Sequence, residues 1–109
     1  MAYQVIVLPR ARRDLQQCFE WIAERSPEGA NRWFEAFEEA ARRLADHPDG
    51  YGFAAESELY PETIRQFLFR TRSGRMYRGL FVVRGKHAYV LHVRGPRQRK
   101  LRPHEIEGP

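Results

Sequence analysis

The stretch "HVRGPRQRK", residues 92–100, sets Arg94, Arg97, Arg99 and Lys100 beside His92 with no carboxylate among them. Cations this dense suit three kinds of chemistry: holding a nucleic-acid backbone, stabilising a phosphate in a transition state, or docking an acidic protein segment. Arg70 and Arg72 extend the same field. Residues 1–63 hold 7 Arg or Lys against 12 Asp or Glu, a balance of −5, and residues 64–109 hold 12 against 2, a balance of +10. The net charge of +5 therefore conceals a basic half that calls for a polyanionic or acidic partner, with Arg70, Arg72, Arg94, Arg99 and Lys100 as its expected contacts.

Other chemistries find little support. The four histidines do not cluster with carboxylates or with Cys18, so neither a metal nor a cofactor is expected. Cys18 lies in a helical pattern without a nearby histidine and reads as a small core residue. A single cysteine excludes an internal disulfide framework and fits a reducing compartment. The start "MAYQVIVLPR" lacks the basic and apolar regions of a secretory signal, and "LFVV" is far shorter than the roughly 20 residues that span a bilayer, so a cytoplasmic chain without membrane contact is expected. At 109 residues, 42% hydrophobic and 13% aromatic, the chain should fold as one domain, 1–109.

These charges must be positioned by an α+β scaffold. Residues 2–8, "AYQVIVL", alternate around β-branched positions and stop at Pro9, which predicts a strand. Ala11, Leu15, Cys18, Phe19 and Ile22 then fall at helical spacing over residues 10–25. Ser26, Pro27 and Glu28 start a second helix that carries Ala30, Trp33, Phe34, Phe37, Ala41 and Leu44 toward "HPDG". So short a turn between them makes an antiparallel helical hairpin, with Trp21 and Trp33 expected in the core. Residues 49–63 show no period and are long for a loop. Strands over 64–71, 76–84 and 87–94 complete a three-stranded antiparallel meander with helices on one face, followed by a basic tail, 95–109.

Gly85-Lys86 as a two-residue hairpin loop fixes the register of the last two strands. Strict alternation then puts Arg78, Leu80, Val82, His87, Tyr89, Leu91 and Val93 on one face and Tyr77, Gly79, Phe81, Val83, Ala88, Val90, His92 and Arg94 on the other. A two-helix hairpin covers only one apolar face. With Phe81 and Val90 turned to the helices, Leu80, Val82, Tyr89 and Leu91 are expected to form an open groove for a partner, the alternative being that residues 49–63 or the C-terminal tail fold over it.

The order strand, helix, helix, three strands, basic tail resembles the RelE/ParE superfamily of type II toxin–antitoxin (plasmid stabilization) toxins. Three patterns carry the resemblance: "YQVIVLPRARRDLQQCFEWIAE" with its proline and Ala-x-x-Asp-Leu, the Pro48-x-Gly50 after the second helix, and "SGRMYRGLFVVRGKHAYVLHVRGPRQ". The resemblance implies a cognate antitoxin that covers the Leu80, Val82, Tyr89 and Leu91 face, and assembly as a homodimer or a toxin–antitoxin hetero-oligomer. It also implies one of two targets, since ParE-like members poison DNA gyrase and RelE-like members cleave messenger RNA on the ribosome. A non-toxic DNA-binding or scaffold member is a third reading.

The nuclease reading has residues to test. Attack by a 2′-hydroxyl needs a base, an acid for the leaving oxygen and positive charge at the phosphate. The resemblance places Arg78 at the family's phosphate-contacting strand arginine, Arg97 near the arginine after the last strand, and His104 near the C-terminal acid or base. Nuclease members also carry alternating lysines on the second strand, where this chain has Gln66 and Leu68. Arginine replaces them poorly as a base because it stays protonated. The expectation is therefore a ParE-like gyrase inhibitor, with Arg78, Arg97 and His104 catalytic only if the chain is a ribosome-dependent nuclease.

Overall fold

The computed structural model describes residues 2–109 of the chain. Strand β1 (Gln4–Val7) leads into helices α1 (Pro9–Ala23) and α2 (Pro27–Leu44), and strands β2 (Arg65–Phe69), β3 (Tyr77–Arg84) and β4 (His87–Arg94) follow. The sheet order is β1-β4-β3-β2, antiparallel except that β1 runs parallel to β4. The α+β architecture expected from the sequence is therefore present. Its pattern of strands did not say where the first one pairs, which is beside the last.

Local signals account for the boundaries. Pro9 and Pro27 begin the helices, where a missing N–H costs nothing, and Ser26 Oγ accepts from the Gly29 N–H at 3.0 Å. Gly85 takes φ of +57°, which the first position of a tight hairpin turn needs. Trp33, Phe37, Phe67, Phe69, Phe81, Val90 and Val93 form the main core between the helices and one sheet face. Gly79 belongs to this core by subtraction, because a Cβ there would lie 2.2 Å from the Phe67 ring. Trp33 is buried as expected, but Trp21 is 56% exposed, with the Arg25 guanidinium 3.7 Å from the centre of its ring.

Strict alternation fails at one point, and the consequences reach the site. Leu80 faces His92 while the next residue, Phe81, faces Val90, so Leu91 is an extra residue in β4. This β-bulge reverses the parity of everything after it. Val93 turns to the helices, while His92 and Arg94 join the Arg78 and Leu80 side, opposite to the expected assignment. Asp14 of the Ala-x-x-Asp-Leu motif accepts from the Val93 N–H at 3.0 Å, satisfying a backbone donor that no strand partner reaches beyond Val7.

Candidate site at the loop-covered face of the sheet

The face away from the helices is not an open groove. Leu80, Val82 and Leu91 are buried and Tyr89 partly so, in a second core with Ala54 and Ile64 from the loop side and Leu101 from the tail. The 49–63 segment supplies this cover through two short 3₁₀ turns, Pro48–Gly50 and Ala55–Leu59. It pairs briefly with β2, Phe53 opposite Arg65. The tail returns across the same face, with Leu101 buried in this core and Ile106 packed against it. Two apolar sheet faces without a second helical layer must be covered, and here the chain covers the second one itself. The face assigned to an antitoxin thus meets the chain's own loop and tail.

Arg78 stands at the centre of this arrangement. Its Nη1 and Nη2 donate to Glu56 Oε1 and Oε2 at 2.8 and 2.7 Å, and Nη1 reaches Gln66 Oε1 at 3.3 Å. Glu56 is fully buried and also accepts from the Leu101 N–H at 3.0 Å, so one carboxylate ties loop, sheet and tail together. Burial pushes this carboxyl up, but the Arg78 fork and backbone N–H groups outweigh it and hold the group at about 2. A shallow cleft of about 710 Å³ opens above, lined by Phe53, Ser57, Glu58, Gln66 and Arg78.

The remaining candidates fall into two groups. Arg97 is exposed in the 95–98 turn and His104 is exposed in the 3₁₀ turn Pro103–Glu105, and neither bonds to Arg78. No hydrogen bond links the three residues of the expected catalytic set to one another among the described residues. Arg94 is buried, its Nη2 donating to the Arg99 carbonyl at 2.7 Å; burial is the largest influence on it and lowers its pKa. Arg99 grips Glu105 with two bonds of 2.8 Å, so it and Arg94 are occupied within the chain. Arg70, Arg72 and Lys100 remain exposed and without an ion pair among the described residues.

Sequence reasoning missed Glu56, Asp14 and the role of His92. His92 is fully buried, its Nε2 accepting from the Glu107 N–H at 3.0 Å while Nδ1 lies 3.7 Å from Asp14 Oδ2. Asp14 is pushed up by burial, but the His92, Val93 and Arg10 contacts bring it below the ordinary carboxylate range. The signals for these roles were the length of the 49–63 loop and the apolar Leu101 and Ile106 in an otherwise polar tail. Among the described residues no group of His, Cys, Asp or Glu is arranged to hold a metal ion, and no helix is long and apolar enough to cross a membrane.

Comparison with known proteins decides the family. The sequence profile described as the ParE toxin of the type II toxin–antitoxin system parDE matches residues 5–100. The chain belongs to the ParE toxin family. Within this family and the wider RelE/ParE group, it is 35% identical over 86 residues to Toxin RelE3 of Caulobacter vibrioides, covering 79% of this chain and 73% of the relative. Its fold is similar to a solved chain from the chromosomal ParDE TA system of P. aeruginosa, with a TM-score of 0.68 at 19% identity over 86% of this chain and 96% of that one. ParE family membership makes this a type II toxin–antitoxin toxin and implies a cognate antitoxin. Arg78, the residue that the resemblance sets at the strand arginine of a nuclease member, already holds a carboxylate. Gln66 and Leu68 occupy β2 on either side of the helix-facing Phe67.

Proposed function

We propose that the chain is the toxin of a type II module that acts by binding and inhibiting DNA gyrase in the cytoplasm, neutralised by its antitoxin. The observation that supports a binding mode of action is the buried Arg78–Glu56 pair. A phosphate at Arg78 would meet a guanidinium whose charge is already compensated by a fully buried carboxylate, one held by both Arg78 terminal nitrogens and by backbone N–H groups. Among the described residues, Glu56 and Gln66 are the side chains bonded to that guanidinium, and neither an exposed base nor an exposed acid bonds to it. Gyrase inhibition needs a surface and no catalytic set.

In this reading the antitoxin docks in the groove between α1, α2 and β1 rather than on the Leu80 and Leu91 face. That groove is open and apolar, about 910 Å³, with Val7, Leu15, Phe19 and the 37% exposed Phe34 along it.

Two assays on the induced chain separate this reading from ribosome-dependent cleavage. Purified chain added to gyrase should block supercoiling, and translated messages should stay intact in induced cells. Unimpeded supercoiling together with ribosome-dependent, codon-phased cuts would replace the proposal with the nuclease one.

A further inference from the structure

The fold consumes the basic half of the chain unevenly. Arg65 donates to the Tyr51 carbonyl at 2.6 Å and lies over Phe53; Arg78 holds Glu56, Arg84 holds Glu62, Arg94 holds the Arg99 carbonyl, and Arg99 holds Glu105. Those five are committed. Of the twelve Arg and Lys in residues 64–109, that leaves Arg70, Arg72, Arg75, Lys86, Arg97, Lys100 and Arg102, all exposed and none in an ion pair among the described residues. The two carboxylates of that half are also taken, Glu105 by Arg99 and Glu107 by Arg10 at 2.9 Å.

Five of these seven cations converge on one end of the sheet. The last β2–β3 pair is Phe69 with Tyr77, so Arg70, Arg72 and Arg75 lie in the connection leaving that end. β4 leaves the sheet there too, with Arg94 opposite Arg78, and its exit folds into a turn closed by Gln98 N–H to Gly95 O at 3.2 Å and Gly95 N–H to Gln98 Oε1 at 2.6 Å. A Cβ on Gly95 would lie 3.3 Å from Tyr77 Cε2, so the two turns touch at their bases. Arg97 sits in the second turn and Lys100 just after it. Lys86 occupies the opposite end, in the β3–β4 hairpin against Tyr3.

We infer that this end of the sheet is a binding site for the phosphate backbone of duplex nucleic acid, held by Arg70, Arg72, Arg75, Arg97 and Lys100. An acidic peptide is the weaker match. Exposed carboxylate pairs stabilise little on their own, and Leu68 and Met76 are the exposed large apolar residues near these cations among the described residues, a small anchor for a peptide. A duplex offers one charge per roughly 1.7 Å of axis, and each neutralised phosphate also releases condensed counterions. Arginine, four of the five residues, matches phosphate bidentately. The assignment does not depend on gyrase being the target.

The test measures binding of the full-length chain to a fluorescein-labelled duplex DNA across a salt series. The logarithm of affinity should fall against the logarithm of salt with a slope of about 3–5, near one per neutralised phosphate. The R72Q/R75Q/R97Q variant should bind at least tenfold more weakly with a slope smaller by about 3. R32Q/R43Q/K86Q, which has the same net charge, should bind within about threefold of the parent, because long-range net charge alone is screened. Equal weakening by the two variants would overturn the site, as would an unchanged R72Q/R75Q/R97Q. Displacement of the DNA by poly-glutamate at equal charge concentration would overturn the phosphate assignment in favour of an acidic protein.

Discussion

Toward the helices the sheet presents Phe67, Phe69, Phe81 and Val90 to Trp33, Phe37 and Leu44, a core with large rings on both sides. Away from them, Leu80, Val82 and Leu91 meet Ala54, Ile64 and Leu101, small or aliphatic residues borne on irregular segments. The first face is covered by regular elements whose backbone bonds are made internally. The second is covered by loop and tail, which must be fastened by side chains: Glu56 to Arg78 and Leu101, Glu62 to Arg84, and His92 to Glu107. The same sheet thus has one side held by apolar area and one held by polar clasps. Both sides should lose stability in acid, the first through Asp14, which fastens α1 to Val93, and the second through Glu56, which is held at about 2.

The contrast breaks most severely at Glu56. Glu56→Ala removes the clasp and strands the Arg78 charge, which should cost about 3–5 kcal/mol, read as the midpoint of urea unfolding. Adding Arg78→Met to Glu56→Gln should recover most of this, since no orphaned charge remains. Phe81→Ala on the helix side should cost a similar amount, about 3–5 kcal/mol, but with the same value at pH 7 and pH 4.

The pH dependence sharpens the contrast at Glu56. Glu56 ionises at about 2 in the folded chain against an ordinary 4.5, so its contribution is complete above 4.5 and is lost as pH falls toward 2. At about 1.4 kcal/mol per unit, the loss is about 3 kcal/mol. Acid titration of stability should show that step in the parent chain, and the Glu56→Gln/Arg78→Met pair should lack it. Smaller again, Leu101→Ala should cost about 2 kcal/mol by thinning the tail's cover. Arg97→Ala should change stability by less than about 0.5 kcal/mol, because an exposed turn residue has no partner to lose.

Much of the scaffold was readable before the structure. Helical spacing from Ala11 to Ile22, the Ser26 cap and the Gly85-Lys86 turn each act over a few residues, so pattern and local chemistry suffice. The bulge at Leu91 was not readable, because β4 reads as evenly apolar on both faces and nothing in its composition marks the extra residue. That single insertion moved His92 and Arg94 across the sheet. The site was less legible for a related reason: Glu56 and Arg78 are 22 residues apart, joined through a loop without periodicity. The expectation of an uncovered Leu80 and Leu91 face failed because the apolar residues that cover it lie in segments without a period, with Ile64, Leu101 and Ile106 as single positions between polar neighbours. The split in charge between the halves was correct as a count. Which cations were spent inside the fold was decided only by where the carboxylates and carbonyls ended up.

The proposed mode of action turns on Arg78 serving the fold and not a reaction. The most direct test is gyrase supercoiling in the presence of the Glu56→Gln/Arg78→Met variant, at matched folded concentration with the parent chain. Inhibition equal to the parent's is the predicted result. A folded variant that has lost toxicity and supercoiling inhibition alike, while the parent cleaves ribosome-bound message, would contradict it.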